Sequence, residues 1–132
     1  MEWMQLEAMV ASNPTPSAQE VRYWVDEREV RLVAHHAHWW LIAPLAVEGP
    51  LAPILPQLLH DAMGRLLCDE SGLAWDDAEA GLVLWQRLPQ GCSPSQFRDS
   101  LEAFLNERAW WFDRMDALAT VHHQVSVPRD QW

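Results

Sequence analysis

The residues of this 132-residue sequence best suited to chemistry are its six histidines and two cysteines. His35, His36 and His38 stand close together, and in an extended strand His36 and His38 share a face, an arrangement that suits a metal. Zinc, however, takes three or four ligands converging at about 2.0–2.3 Å, and neither a cysteine pair nor a His-Glu-x-x-His pattern completes such a set. His60, His122 and His123 are remote in sequence, so the triplet reads as a polar turn between two strands and no metal site is assigned. Cys92 precedes a helix start, where the helix dipole would lower a thiol pKa and favour nucleophilic chemistry. A thiol hydrolase also needs a partnered histidine and an oxyanion site, and the sequence has no Gly-x-Ser-x-Gly elbow or glycine-rich phosphate loop. No catalytic residue and no cofactor follow, and the expectation is a protein that is not an enzyme.

Composition narrows the class further. All nine basic residues are arginine, against nineteen carboxylates, for a net charge of −10. Such a surface repels phosphate backbones and anionic lipid, which argues against nucleic acid and membrane partners. A 49% hydrophobic content with nine tryptophans excludes the disordered class. The segment from Trp39 to Val47 is uncharged and apolar but interrupted by Pro44 and far short of the roughly 18 residues that span a bilayer. The acidic start Met1-Glu2-Trp3 is not that of a secretory signal, and Cys68 and Cys92 are too few for a disulfide framework, so the reading is a cytoplasmic chain with reduced thiols. Length gives a single domain over 1–132, with a core about 20–118 and a frayed tail over 120–132.

Prolines divide the chain into segments of distinct period. Trp3, Leu6, Met9 and Val10 fit one face of a short helix over 2–11. β-Branched and aromatic residues then predict a three-strand meander over 21–25, 29–35 and 39–45. Leucines recurring at i, i+3 and i+4 predict a helix over 54–68, and two strands, 72–75 and 82–88, flank an acidic turn at 76–81. Ser93, Pro94 and Gln96 make a capping box for a final helix over 94–119 whose apolar face runs from Phe97 through Leu101, Phe104 and Trp111 to Leu118. The fold class is α+β in the order α-β-β-β-α-β-β-α, an antiparallel twisted sheet packed with helices.

That order, together with Trp39-Trp40-Leu41-Ile42-Ala43-Pro44-Leu45, the leucine-rich Leu55 to Met63, the strand Gly81 to Pro89 and the capped Phe97 to Leu105, resembles the class I type III secretion chaperones, the Tir-chaperone family. The resemblance covers roughly residues 20 to 118. It implies a homodimer of α+β protomers in the bacterial cytoplasm that binds the N-terminal segment of a secreted effector or translocator in extended form. It further implies that the client stays secretion-competent until the secretion ATPase or its sorting platform receives it. A second reading places the same fold in a regulator that sequesters a transcriptional regulator or an anti-activator, through the same apolar grooves.

The candidate client-binding residues are Trp3, Met4, Leu6, Met9 and Val10 on the first helix, where methionine and aromatic side chains accept varied apolar anchors. Trp24, Val33 and Trp40 join them if they share one sheet face, and a strand edge near 21–35 offers β-augmentation. Core packing is an equally ready role for all of these. The candidate dimer interface is Leu58, Leu59, Met63, Leu66 and Leu67 on the 54–68 helix, with Trp75 and Trp85 from the strand pair. The apolar face of that helix is wider than one small protomer readily covers.

Overall fold

The computed structural model describes residues 3–46, 49–66 and 71–126, with the side chains of Trp3, Leu66 and 122–126 outside that description. Helix α1 (Trp3–Ser12) is followed by strands β1 (Gln19–Val25), β2 (Arg28–His35) and β3 (His38–Pro44). Helix α2 (Leu55–Leu66), strands β4 (Ser71–Asp76) and β5 (Gly81–Arg87) and helix α3 (Pro94–Ser126) complete the order. The α+β class and the eight-element order expected from the sequence are those observed.

The five strands form one antiparallel sheet in the order β1-β2-β3-β5-β4. Two-residue turns, Asp26-Glu27 and His36-Ala37, join the meander, and all four residues have positive φ. That is the turn whose twist matches right-handed strands, and it is usually made with asparagine and glycine. A Cβ in this left-handed region costs about 1–2 kcal/mol.

Alternation along each strand separates two faces. Tyr23, Val30, Leu32, Ala34, Trp39, Leu41, Ala43, Leu82 and Leu84 point to one face and are buried in the core. The register sets Leu32 beside Leu41 and Ala43 beside Leu84. The helices cover this face with Leu6 and Val10 from α1, Leu58 from α2, and Phe97, Leu101, Phe104, Trp111 and Met115 from α3. Each such side chain contributes about 1.5–3 kcal/mol by leaving water. The Trp39 indole also donates to the Asn13 carbonyl at 2.9 Å, fixing the chain that leaves α1. Glu7 pairs with Arg98 at 2.9 Å and ties α1 to α3.

The capping box forms as expected: the Ser93 amide donates to Gln96 Oε1 at 2.9 Å, and the Gln96 amide to Ser93 Oγ at 3.2 Å. Helix α3 nevertheless runs past the expected end at 119 to Ser126. Beyond Leu118 the apolar period stops because the helix has left the core, as the exposed Val121 shows. Good helix formers such as Ala117 and Ala119 extend it, with Pro128 the next residue that opposes a helix. The rest of the expected tail, 127–132, lies outside the described residues.

Ala37→Gly removes a Cβ from the left-handed region and is expected to stabilise the protein by about 1 kcal/mol, or about 3–5 °C in Tm. An unchanged or lower Tm in a thermal melt would contradict this account of the turn.

Candidate binding surfaces

The second sheet face carries Val33 on β2, Trp40 and Ile42 on β3, and Val83 and Trp85 on β5. Val33 is opposite Trp40, and Ile42 opposite Trp85, so these residues form an apolar band across the middle strands. The Trp40 and Trp85 rings meet edge to face at 5.8 Å between centroids, and the Trp40 indole donates to the His35 carbonyl at 3.1 Å. Trp85 then lies across Gly72 of β4, its cross-strand partner. A Cβ at residue 72 would stand 2.6 Å from the Trp85 ring, so glycine is the residue that admits the indole.

Arg31 shares this face, and its side chain is only 7% exposed. Glu29 at 3.2 Å, Asp76 at 3.3 Å, Glu79 and, at 3.9 Å, Glu20 surround the guanidinium. Burial works to lower its pKa, and the hydrogen bonds and charges of Glu29 and Glu79 outweigh that and raise it. These pairs hold the β4–β5 turn toward the sheet, and the Asp76 carboxylate also accepts the Ala78 amide at 3.0 Å. Between the turn and the start of β1 lies an open groove of about 770 Å³, with Val33, Ile42 and Val83 among its apolar lining and Glu20, Asp76 and Asp77 among its acidic lining.

Strand β1 is a sheet edge, paired only with β2 among the described residues. A second groove, of about 720 Å³, follows that edge between Trp24 and Leu101 and Leu105 of α3, with Asp99 and Glu102 on its rim. Trp24 is 65% exposed. Beneath the strand, burial pushes the Tyr23 phenol up to about 12 against the pull of the nearby Arg108, while Arg108 donates to the Val25 carbonyl at 3.2 Å.

Helix α2 packs Leu58 into the core and is fastened to α3 by charge along its flank. Its charged residues face α3, with Arg65 bidentate on Glu107 at 2.5 and 2.6 Å and Arg114 on Asp61 at 2.6 Å. Arg65 also lies 3.8 Å over the Trp110 ring. Burial works to raise the Asp61 pKa, but hydrogen bonds from Arg114 and Gln57 hold it below the ordinary carboxylate range. Leu59 and Met63, one turn apart, stay 55% and 63% exposed, and Trp75 on the neighbouring edge strand β4 is 55% exposed.

No protein-family model matches the chain, and no curated protein matches it. Among solved structures, a chain of the HopA1–SchA chaperone–effector complex superposes with a TM-score of 0.64 at 16% identity, covering 86% of this chain and 98% of that one. The fold is shared with that chain of the complex. At this identity the likeness speaks for architecture, and the side chains must speak for function.

On this fold the sequence candidates separate. The register places Trp24, Val33 and Trp40 on one face, the face without helices. Leu6 and Val10 are both buried between α1 and the core, because they occupy the stripe by which α1 packs. Met9 is partly buried against the same core, Met4 is exposed, and the Trp3 side chain lies outside the described residues. Leu58 points into its own protomer's core and leaves Leu59 and Met63 outward. Trp85 is half-buried on the helix-free face against Trp40. The Leu66 side chain and the whole of Leu67 fall outside the described residues.

His35 and His36 meet edge to face at 4.0 Å at the β2–β3 turn, whose two residues are His36 and Ala37. Among the described residues no group of three or more His, Cys, Asp or Glu is placed to hold a metal. Cys92 is buried, and burial raises its thiol pKa, the opposite of what a nucleophile needs. Among those residues no helix is long and apolar enough to cross a membrane. Arg31 and Ile42 also belong to the helix-free face and were not among the sequence candidates. An arginine between Val30 and Leu32 in an apolar strand was the available signal for the first.

Gly72→Ala drives a methyl group into the Trp85 indole and is expected to cost about 1–3 kcal/mol. Near-ultraviolet circular dichroism should register loss of the Trp40–Trp85 pair. A variant with the wild-type melt and spectrum would show that the indole does not depend on this glycine.

Proposed function

We propose that this chain is a type III secretion chaperone: a homodimer in the bacterial cytoplasm that binds the N-terminal segment of a secreted effector or translocator in extended form. The observation that carries the reading is a chaperone-like fold whose helix-free sheet face is apolar across Val33, Trp40, Ile42 and Trp85, with Trp24 on the open edge strand β1 of the same face. An extended client strand pairs its backbone with an open edge and inserts alternate side chains beside it. Exposed Trp24 and half-buried Leu105 provide the apolar ground for those side chains. Exposed Met4 extends the client surface, and Trp3 belongs with it by its place on α1.

This role needs no covalent chemistry and no cofactor. It consists in covering client apolar surface until the secretion ATPase or sorting platform takes the client over. The homodimer is supported by α2, whose Leu59 and Met63 face outward while Asp61 and Arg65 hold it to α3. Exposed apolar side chains on one helix face, with Trp75 beside them, suit an interface between copies, since obligate interfaces are more apolar than ordinary surface.

Co-expression with the N-terminal region of the protein encoded beside this chain, followed by size exclusion with light scattering, tests the reading. Two copies of this chain per client are expected. A 15.2 kDa monomer that retains no partner would overturn it. Capture of a transcriptional regulator or anti-activator in place of a secreted client would turn the assignment to a regulator on the same fold.

Met63→Glu is expected to leave the protomer folded, because residue 63 is exposed within it, and to yield monomers by placing two carboxylates in the dimer contact. A Met63→Glu protein that still scatters as a dimer would exclude this face of α2 as the interface.

A further inference from the structure

Resting on the chaperone reading, we propose that the groove between β1 and the β4–β5 turn selects clients carrying an arginine or lysine among apolar residues. The stem would lie on Val33, Ile42 and Val83 and the cationic head between Glu20 and Asp77. The groove combines an apolar lining with three carboxylates, Glu20, Asp76 and Asp77, against one lining cation, Arg31. Arg31 does not balance them, because Glu29 and Glu79 from outside the lining already hold it. The Asp76 carboxylate is engaged with Arg31 and the Ala78 amide, and Glu20, 44% exposed, is only loosely held by Arg22 at 3.7 Å and Arg31 at 3.9 Å, so Glu20 and Asp77 are the carboxylates with charge left to face an occupant.

The chemistry of long cationic side chains matches this lining. Their methylene stems cover apolar surface while the head remains with polar groups at the rim. An acidic residue would meet excess negative charge, and an apolar residue would leave the carboxylates without benefit. A second copy of the chain is a poor occupant, since each copy brings a net charge of −10 to a rim that is itself acidic. The selected element is therefore an extended segment with a basic residue flanked by apolar ones, and the groove contributes discrimination among clients in addition to cover.

The probes are a short capped peptide of alternating serine and apolar residues with one central arginine, and the same peptide with citrulline, its uncharged isostere, in that position. Titrations are read by tryptophan fluorescence and calorimetry on the full chain. The arginine peptide is expected to bind about fivefold more tightly at low salt, with the advantage shrinking as ionic strength rises. The double variant Glu20→Gln with Asp77→Asn should abolish that advantage. The double variant Asp113→Asn with Asp116→Asn, which removes as much charge from exposed positions on α3, should retain it. Equal affinity for the two peptides, an advantage that survives Glu20→Gln with Asp77→Asn, or no binding of either peptide would each overturn the proposal. Retention of a co-expressed client under any of those outcomes would leave the chaperone reading standing and remove only the basic-residue selectivity.

Discussion

All three helices lie on one face of the sheet, so half of the strand side chains receive helical cover and the other half do not. An antiparallel sheet tolerates this when its open face is polar. Here the open face carries Val33, Trp40, Ile42, Val83 and Trp85, and much of the structure is an accommodation to that fact. The tryptophans shield one another and fold down over Gly72, and the β4–β5 turn is drawn over the strands by Arg31. Both devices reduce exposure without closing the surface, which leaves an apolar face available to a second molecule.

Charge is distributed to the same end. The buried guanidinium of Arg31 holds a turn, and the Arg65–Glu107 and Arg114–Asp61 pairs hold a helix. On α2 the ion pairs fasten a helix whose Leu59 and Met63 face outward. Partly buried charged hydrogen bonds contribute about 1.5–3 kcal/mol each. Burying Leu59 and Met63 inside the protomer would stabilise it by a comparable amount. A sequence that forgoes that burial keeps the α2 face uncovered within the protomer.

The elements were legible because their periods are clean. Phe97, Leu101, Phe104 and Trp111 mark a helix, and Val30, Leu32 and Ala34 mark a strand. What the sequence left open was direction. Leu58 and Leu59 are equally apolar neighbours, and only the packed fold decides that the first points inward and the second outward. The same holds for Leu6 and Val10 against Met4 on α1. Arg31 escaped notice because its partners Glu79 and Asp76 lie more than forty positions away, joined to it by the sheet order and not by any local spacing. The extension of α3 to Ser126 has no such signal, because the apolar period that marks the helix ends at Leu118.

The sheet order also bears on how the chain is made. Strands β1 to β3 meet through two-residue turns and can assemble as soon as they leave the ribosome, in contacts that are local and fast. The outer edge of β3, with Trp40 and Ile42, waits for β5, which is synthesised roughly forty residues later. Until then the nascent protein displays an unpaired apolar strand, the kind of edge that recruits other chains. During its own synthesis this molecule is, for a short time, in the condition of the clients it is proposed to protect.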